Sequence, residues 1–392
     1  MTAGPWARVL AATAVAATAL AVVSGAADWH TAHRLLAAVA LPPLVGLLIL
    51  AVMAMRRLLP ASIAALAFFG AAALFTGRGL HIATASLAFA ATAVLAAQAF
   101  RGEPGPAGSL RDLVTLTKPR VMSLLLLTGG AAIFVGAEGV PAWGMFTATM
   151  IGLALACGGA ATLNHYLDRD IDKLMGNRTA GRPVASGRMA PERALEFGIA
   201  LSAASFVLLD SLVNLPTALL ALLGNLFYVL VYTRMLKRST PQNIVIGGAA
   251  GAVPPLVGYA GATGHLGWAA IVMFGIIFLW TPPHFWALAL MIREHYANAN
   301  VPMLPVVRGE RETARQITLY TIALVVATIV PVGFGIFGLF YGVSALVLGL
   351  ALTALALSLW RQTTRPHAVK LFHFSMIYLA LLFVAMALDA VV

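Results

Sequence analysis

Residues 164–178 read NHYLDRDIDKLMGNR, and they place three acids and three bases at the end of a long apolar run. The whole chain has 392 residues, of which 61% are hydrophobic and 10% charged, a composition that excludes a soluble globular protein. A charged side chain inside a bilayer costs about 3 kcal/mol on insertion scales, so such residues normally mark a functional site. The stretch therefore indicates both a membrane protein and the place where its chemistry occurs.

Apolar runs of about 20 residues, each long enough to cross a hydrocarbon core of roughly 30 Å, recur along the entire chain. They predict an all-α polytopic membrane protein with thirteen spans. The predicted spans lie at about residues 7–27, 33–55, 60–77, 80–100, 118–137, 142–163, 191–210, 214–233, 243–261, 267–290, 316–337, 341–360 and 367–389.

The stretch RGEPGPAGSLRDLVTL at 101–116 interrupts the apolar pattern with two Pro, three Gly and four charged residues. Pro and Gly break helices and strands, so this composition is typical of a connecting segment. We therefore predict a four-helix bundle at 1–101, a linker at 102–116 and a nine-helix bundle at 117–392.

Positive charge predicts the orientation, because loops rich in Lys and Arg stay in the cytoplasm. With the N-terminus placed inside, only Arg34 and Arg78 of the 25 Lys and Arg residues fall outside. The predicted protein therefore lies in the inner (plasma) membrane, with its N-terminus and polar loops in the cytoplasm and its C-terminus outside. The basic residues lie in short loops and not in one stripe, which argues against a nucleic-acid partner.

Asn164, Asp168 and Asp172 are spaced by four residues, so they line one face of a helix, while Asp170 points to the opposite side. Three oxygen-bearing side chains at the inner end of a span suit Mg²⁺, which is usually shared between protein carboxylates and phosphate oxygens. A solvated cytoplasmic loop would explain nearby arginines but not the acids. The pattern therefore predicts a metal–diphosphate site.

Cations for such a diphosphate follow in the next loop, at Lys173, Arg178 and Arg182, with Arg188 as a further candidate. Two further polar loops follow spans on the same predicted side, YTRMLKRSTPQN at 232–243 and REHYANANVPMLPVVRGER at 293–311. All three loops can surround one cavity mouth. A prenyl diphosphate, with an anionic head and an apolar tail, matches such a cavity.

These blocks resemble the intramembrane prenyltransferases of the UbiA superfamily, whose first signature is N-x-x-x-D-x-x-x-D, and among them the heme O synthases (protoheme IX farnesyltransferases). The resemblance covers about residues 110–392 and implies a UbiA-type bundle for the nine-helix part. Six blocks carry it in the family's order: LTKPRVMSLLLLTG (116–129), NHYLDRDID (164–172), RTAGRP (178–183), TPQNIVIGGAAGAVPPLVGYA (240–260), LWTPPHFWALAL (279–290) and ANVPMLPVVRG (299–309).

The resemblance implies a Mg²⁺-dependent transfer of the farnesyl group from farnesyl diphosphate to a vinyl group of heme b (protoheme IX), which gives heme O. It assigns Mg²⁺ and catalysis to Asn164, Asp168 and Asp172. It also implies that basic residues hold the diphosphate oxygens; the candidates are Lys118, Arg120, Lys173, Arg178, Arg182, Lys237 and Arg238.

One position departs from the family. The second loop commonly reads R-E-D-Y there, whereas this chain has Arg293, Glu294, His295 and Tyr296. Either Glu294 holds a second Mg²⁺, or water and the first motif alone hold it.

Four histidines are candidates for contact with heme. His165 and His284 would meet the substrate or handle protons; for His284, a buried histidine with satisfied hydrogen bonds is the alternative. His33 and His81 fall at the outer ends of predicted spans two and four, where two histidines at one depth of a four-helix bundle can ligate a heme iron from both sides. Their surroundings, H-R-L-L-A and L-H-I-A-x-A, resemble half of heme A synthase, although His30 replaces that family's Glu. The N-terminal module is therefore predicted to bind or hand over heme without being a second complete enzyme.

Two other functions compete with heme O synthesis. Another intramembrane prenyltransferase would use a quinone precursor as its acceptor, and a heme transporter or heme-binding module would not need the Asp stripe. The predicted ligands are farnesyl diphosphate and heme b. Heme A synthase or terminal oxidase subunits are the predicted protein partners, and an oligomer is compatible with the sequence.

Overall fold

The computed structural model describes residues 5–26, 39–48, 51, 58–74, 84, 87–89, 91–92, 94–96 and 105–392. Over these ranges the chain is helical and contains no β-strand; an isolated bridge joins Ala107 to Met189. The prediction of an all-α protein is confirmed.

Four helices occupy the positions of the first four predicted spans: α1 (Pro5–Ala26), α2 (Val39–Leu48), α3 (Leu59–Leu74) and α4 (Leu87–Ala96). A small apolar core packs them together through alanines of α1 and the fully buried Leu44, Leu58 and Leu95. His33 and His81 lie outside the described residues, so the heme site of this module and the total of thirteen spans stay predictions.

The stretch predicted as a linker contains an ordered helix, α5 (Leu110–Leu116). Ser109 caps it, because its hydroxyl accepts a hydrogen bond from the Asp112 amide while the Asp112 carboxylate accepts one from the Ser109 amide. The Pro and Gly residues at 102–108 dominated the sequence pattern and obscured this Ser-x-x-Asp capping signal. The second half of the predicted linker is therefore a fixed part of the structure, while the domain limits stay predictions.

Nine helices in the described ranges are long and apolar enough to cross a membrane, and they coincide with the nine spans predicted after residue 116. Only the seventh differs noticeably, because its polar first turns, from Glu310, are helical too. The elements are α6 (Pro119–Ala137), α7 (Trp143–Leu167), α8 (Arg169–Leu174), α9 (Pro191–Leu212), α10 (Leu215–Leu226) with its continuation Phe227–Leu236, α11 (Asn243–Thr263), α12 (Trp268–Met291), α13 (Arg293–Asn298), α14 (Leu304–Val307), α15 (Glu310–Gly333), α16 (Leu339–Arg361) and α17 (Arg365–Asp389).

Small residues allow the spans to approach closely. Between α6 and α11, a Cβ atom added to Gly258 would collide with the backbone carbonyl oxygen of Gly129. Lipid chains are as apolar as leucine, so helices in a membrane associate through such close contacts of small residues instead of through a hydrophobic driving force. This contact fixes α11 against α6, the helix that begins directly after Lys118.

We predict that Gly258→Ala lowers the thermal midpoint of the detergent-solubilised protein, because the collision is with backbone and no side chain can move aside. Overpacking of this kind costs about 1–3 kcal/mol. The matched control is Gly275→Ala, also within a membrane helix, where an added Cβ meets nothing within 4 Å. Equal midpoints for the two variants would contradict the packing argument.

Candidate functional site

The predicted stripe lies where α7 ends and α8 begins. Asn164, Asp168 and Asp172 are 3%, 0% and 1% exposed, whereas the side chain of Asp170 is 60% exposed. The Asn164 amide donates to the Asp168 carboxylate over 2.8 Å, which places their side chains on one face. The structure thus buries the three stripe residues and exposes Asp170, although a break at Asp168 divides the predicted single helix into α7 and α8. The role of the stripe as a metal site stays a prediction.

Three cations from three different segments converge on this face. The Lys118 ammonium donates to Asn164 Oδ1 over 2.6 Å, and the Lys237 ammonium donates to Asp168 Oδ2 over 2.5 Å. Arg182 Nη1 donates to both carboxylate oxygens of Asp172, over 2.8 and 3.0 Å. We call the six side chains of Lys118, Asn164, Asp168, Asp172, Arg182 and Lys237 the charged cluster.

Lys118 reaches the cluster through an unusual backbone conformation. It precedes Pro119 at the start of α6 and has a left-handed φ of 51°. A residue before proline avoids the right-handed helical region, and a non-glycine residue seldom adopts a positive φ. This conformation ends α5 and begins α6 within two residues, with the Lys118 side chain directed at Asn164.

A π-helix brings Lys237 to the cluster. Residues Phe227–Leu236 continue α10 with wider turns, and the Thr233 hydroxyl donates to the carbonyl of Tyr228, five positions earlier. Thr233 also accepts a hydrogen bond from the Asn164 amide over 3.1 Å. Such π-helical turns recur at functional sites. Sequence reasoning missed Thr233 and the π-helix, since no residue pattern distinguishes this segment from an ordinary α-helix.

Of the seven cations that the resemblance implies for the diphosphate, four donate no hydrogen bond to the side chains of Asn164, Asp168 or Asp172 within residues 105–392. Arg238 donates two hydrogen bonds to Asp170, over 2.6 and 2.7 Å, and stays 3.8 Å from Asp168. Arg120 and Arg178 are exposed. Lys173, also exposed, lines a separate cavity of about 950 Å³ on the side of α8 that carries Asp170. Lys173 follows Asp172 by one position on α8, and on an α-helix one position turns a side chain by about 100°. Arg238 follows Lys237 in the turn after the π-helix.

In the second loop, the rings of Tyr296 and His295 lie toward the other site loops, whereas the carboxylate of Glu294 is exposed. Tyr296 is 9% exposed, and its hydroxyl interacts electrostatically with Lys237, Arg178 and Arg182. The His295 ring lies beside Gly176, the glycine that follows α8. Glu294 is exposed and has no ion pair or hydrogen bond to its carboxylate in the part of the chain that the structure describes, so its role as a metal ligand stays a prediction.

Arg293, the remaining predicted residue of the second loop, forms an ion pair with Glu310 at 3.2 Å on the surface. Both side chains are nearly half exposed, at 45% and 46%. The pair ties α13 to the start of α15 and does not reach the charged cluster.

Burial and like charges shift the ionisation of the cluster. Burial, followed by the charges of Arg182 and Lys237, lowers the pKa of Lys118 to about 7. Burial raises the pKa of Asp172 despite the opposing pull of Arg182. For Lys237, burial is outweighed by the Asp168 carboxylate, and its pKa is raised. Three basic side chains thus face two carboxylates, and the nearby charges of Arg182 and Lys237 are part of the reason that the pKa of Lys118 is lowered.

Asp170 behaves as a separate site. The hydrogen bond from Arg238 is the main cause that lowers the pKa of Asp170 to about 2. Arg238 thus already balances the charge of Asp170 on the side of α8 that faces away from the charged cluster.

The residues present fit a magnesium ion. Asp168 Oδ1 is buried without a hydrogen-bond partner, and two carboxylates and one amide oxygen are the hard ligands that Mg²⁺ takes. In the described ranges no three His, Cys, Asp or Glu side chains meet at one point. Asn164, Asp168 and Asp172 would therefore supply part of the shell, and water or phosphate oxygens would complete it, as is usual for Mg²⁺.

The two remaining histidines differ. His165 is 2% exposed, and neither of its ring nitrogens has a hydrogen-bond partner among the described residues. His284 is stacked between Trp280 and Phe372, with centroid distances of 4.3 and 4.6 Å, and its Nδ1 lies 2.8 Å from the Ser375 hydroxyl. This packing favours the interpretation of His284 as a buried histidine with a satisfied hydrogen bond.

Comparison with known proteins identifies the family. The model of the UbiA prenyltransferase family matches residues 124–383. A relative from Symbiobacterium thermophilum named protoheme IX farnesyltransferase is 53% identical over 282 residues, which are 71% of this chain and 94% of the relative. One of the same name from Gloeobacter violaceus is 49% identical over 76% of this chain and 97% of its own length.

Among solved structures, one described as giving insights into digeranylgeranylglyceryl phosphate synthase in membranes has a TM-score of 0.59 at 19% identity, covering 72% of this chain and 98% of that one. A UbiA homolog from Archaeoglobus fulgidus, described as bound to GPP and Mg²⁺, has a TM-score of 0.50 at 18% identity and covers 70% and 99%. At these identities the structures establish a shared fold. The family model and the relatives that are 53% and 49% identical show that this chain belongs to the UbiA prenyltransferase family, among the protoheme IX farnesyltransferases.

Proposed function

We propose that this membrane enzyme transfers the farnesyl group of farnesyl diphosphate to a vinyl group of heme b and so makes heme O. The charged cluster carries the proposal, because it gathers three cations around two buried carboxylates at one end of a bundle of apolar helices. An amphiphile with a diphosphate head and a long apolar tail matches that arrangement. The name of the relatives, protoheme IX farnesyltransferase, supports farnesyl as the donor group and heme as the acceptor.

Asn164, Asp168 and Asp172 would hold Mg²⁺ in this enzyme. The homolog from Archaeoglobus fulgidus described as bound to GPP and Mg²⁺ supports the pairing of this metal with a prenyl diphosphate. When bound, Mg²⁺ supplies positive charge next to the departing diphosphate. Glu294 is the candidate for a second ion.

The chain's own cations bind and stabilise the diphosphate. Lys118, Arg182 and Lys237 now contact the side chains of the stripe, and each can turn its charge toward a phosphate oxygen. They offset the negative charge that grows on the diphosphate as the bond between its oxygen and C1 of the prenyl chain breaks. The vinyl π electrons then form the new carbon–carbon bond to C1, diphosphate is the leaving group, and the carbocation left on the other vinyl carbon takes up one water molecule and releases a proton, which gives the hydroxyalkyl side chain of heme O. Because the stripe is at most 3% exposed, these charges act at short range in a site that water hardly reaches.

Two other functions are weighed against this one. A prenyltransferase with a quinone-precursor acceptor would use the same charged cluster, so only the acceptor separates it from heme O synthesis. A heme transporter or heme-binding protein would have no use for a diphosphate site. The product formed from heme b, farnesyl diphosphate and Mg²⁺ in membranes that contain this protein distinguishes all three.

We predict that such membranes form heme O, detected by chromatography and mass spectrometry. Asp168→Asn or Asp172→Asn should lower kcat/KM about 100-fold or more, because each removes a carboxylate ligand of the proposed Mg²⁺, which neutralises the diphosphate. Asp170→Asn, on the opposite face, is the matched control and should stay within about threefold of the parent. Losses at Asp170 as large as those at Asp168 would contradict the one-face assignment, and a prenylated quinone precursor as the product would contradict heme as the acceptor.

The same proposal includes a topology. The chain would cross the inner membrane thirteen times, with its N-terminus and the loops around the charged cluster in the cytoplasm and its C-terminus outside. The distribution of Lys and Arg supports this orientation. Heme A synthase or terminal oxidase subunits are the candidate partners, since heme O passes toward them.

The N-terminal module would bind heme b through His33 and His81, one histidine on each side of the iron. We predict that the purified protein then has a low-spin b-type spectrum without added substrate, and that His33→Ala or His81→Ala alone removes it. Farnesyl transfer should survive either change in part, because the charged cluster would lie across a membrane of roughly 30 Å. A heme spectrum that neither variant alters would mean that these histidines are not iron ligands.

A further inference from the structure

The segment before the nine-helix bundle is fixed to the loop after α8. The Ala190 amide donates to the carbonyl of Pro106 over 2.8 Å, and Ala107 forms an antiparallel bridge with Met189. Met189 is fully buried and packs in a small apolar cluster with Leu116 of α5 and Val184 of the loop. Backbone and side-chain contacts therefore hold residues 105–116 against residues 178–190.

Arg188 links the two segments through charge. Its Nε donates to Asp112 Oδ1 over 3.0 Å, and its Nη2 donates to the carbonyl of Gly181, also over 3.0 Å. Asp112 is itself held by the hydroxyl and the amide of Ser109, over 2.8 and 3.0 Å. One guanidinium thus spans the distance between the capped start of α5 and the backbone of the loop.

Gly181 directly precedes Arg182, whose guanidinium contacts Asp172 in the charged cluster. The carbonyl that Arg188 holds is therefore that of the peptide bond leading into a cluster cation. The same α5 ends at Leu116, two residues before Lys118, which contacts Asn164. Two of the three cluster cations, Lys118 and Arg182, thus directly follow backbone that the contacts between residues 105–116 and 178–190 hold.

We propose that Asp112 and Arg188 are positioning residues for the diphosphate site: Asp112 orients Arg188, Arg188 holds the Gly181 carbonyl, and this contact fixes Arg182. The inference rests on the proposed function, since it assigns Arg182 to the prenyl diphosphate. Arg188 is 50% exposed, so its ion pair contributes little to global stability. Its main effect is local, on the loop that carries Arg182.

The test measures binding of farnesyl thiodiphosphate, an unreactive analogue, in the presence of Mg²⁺, together with steady-state kinetics of the full chain. Asp112→Asn and Arg188→Gln should raise the Kd of the analogue and the KM for farnesyl diphosphate about tenfold, as expected for a weakened charge-assisted contact. The KM for heme and the thermal midpoint should stay unchanged. Arg188→Lys should also bind weakly, since one ammonium cannot replace the two-sided guanidinium contact.

Three controls separate positioning from a structural role. Asp112→Glu should restore parental binding, because Ser-x-x-Glu still caps a helix and still offers a carboxylate. Ser109→Ala removes the capping hydroxyl but leaves the hydrogen bond from the residue-109 amide to Asp112 and the Asp112–Arg188 pair, so it should stay within about twofold of the parental Kd. Arg315→Gln breaks a comparable exposed pair, with Glu312 at 3.2 Å, and should leave binding unchanged.

Parental Kd values for both Asp112→Asn and Arg188→Gln would overturn the inference, as would an equal loss in Ser109→Ala. If a variant does not fold, Arg188→Lys and Asp112→Glu still decide between the outcomes. A parent protein that binds no prenyl diphosphate would contradict the proposed function itself, which is a different result from a parent that binds it and variants that bind equally well.

Discussion

The burial of Asp168 and Asp172 is the constraint on which the rest of the site depends. Removing a carboxylate from water costs several kcal/mol even after the protein relaxes, and the cost is recovered only with close, well-oriented partners. Here the partners are Lys237 and Arg182, each within 2.8 Å of its acid. Lys118 adds a third cation at Asn164. The surplus positive charge makes the cluster selective for an anion, which is the property that an enzyme acting on diphosphates needs.

Several local features of the fold follow from this requirement. The left-handed backbone at Lys118 and the π-helix before Lys237 each bring an ammonium group to one end of α7. The loop that carries Arg182 is held by Arg188 and by residues 105–116. Segments far apart in the chain thus converge on one pair of acids, while close glycine contacts such as that of Gly258 with Gly129 hold the membrane helices behind them.

Features that depend on residues close together in the sequence could be predicted. Runs of about 20 apolar residues give the spans, and the spacing of four gives the inward face with Asp170 outside. Contacts that join distant segments were not predictable. Nothing in the sequence pairs Arg188 with Asp112, 76 positions earlier, or assigns Lys237 to the cluster and its neighbour Arg238 to Asp170. The second loop was predicted through its acid, Glu294, whereas the structure brings Tyr296 and His295 toward the first loop, because only packing decides which side of a six-residue helix faces inward.

The central claim is that the cations of the charged cluster leave the carboxylates they now contact and bind the oxygens of a metal-bound diphosphate instead. A cryo-EM structure of the full chain with Mg²⁺ and farnesyl thiodiphosphate tests it directly. The account predicts a metal about 2.1 Å from oxygens of Asp168 and Asp172, with the Lys237 ammonium moved from Asp168 to a phosphate oxygen. A diphosphate bound elsewhere, with the Lys237–Asp168 and Arg182–Asp172 pairs intact, would contradict it.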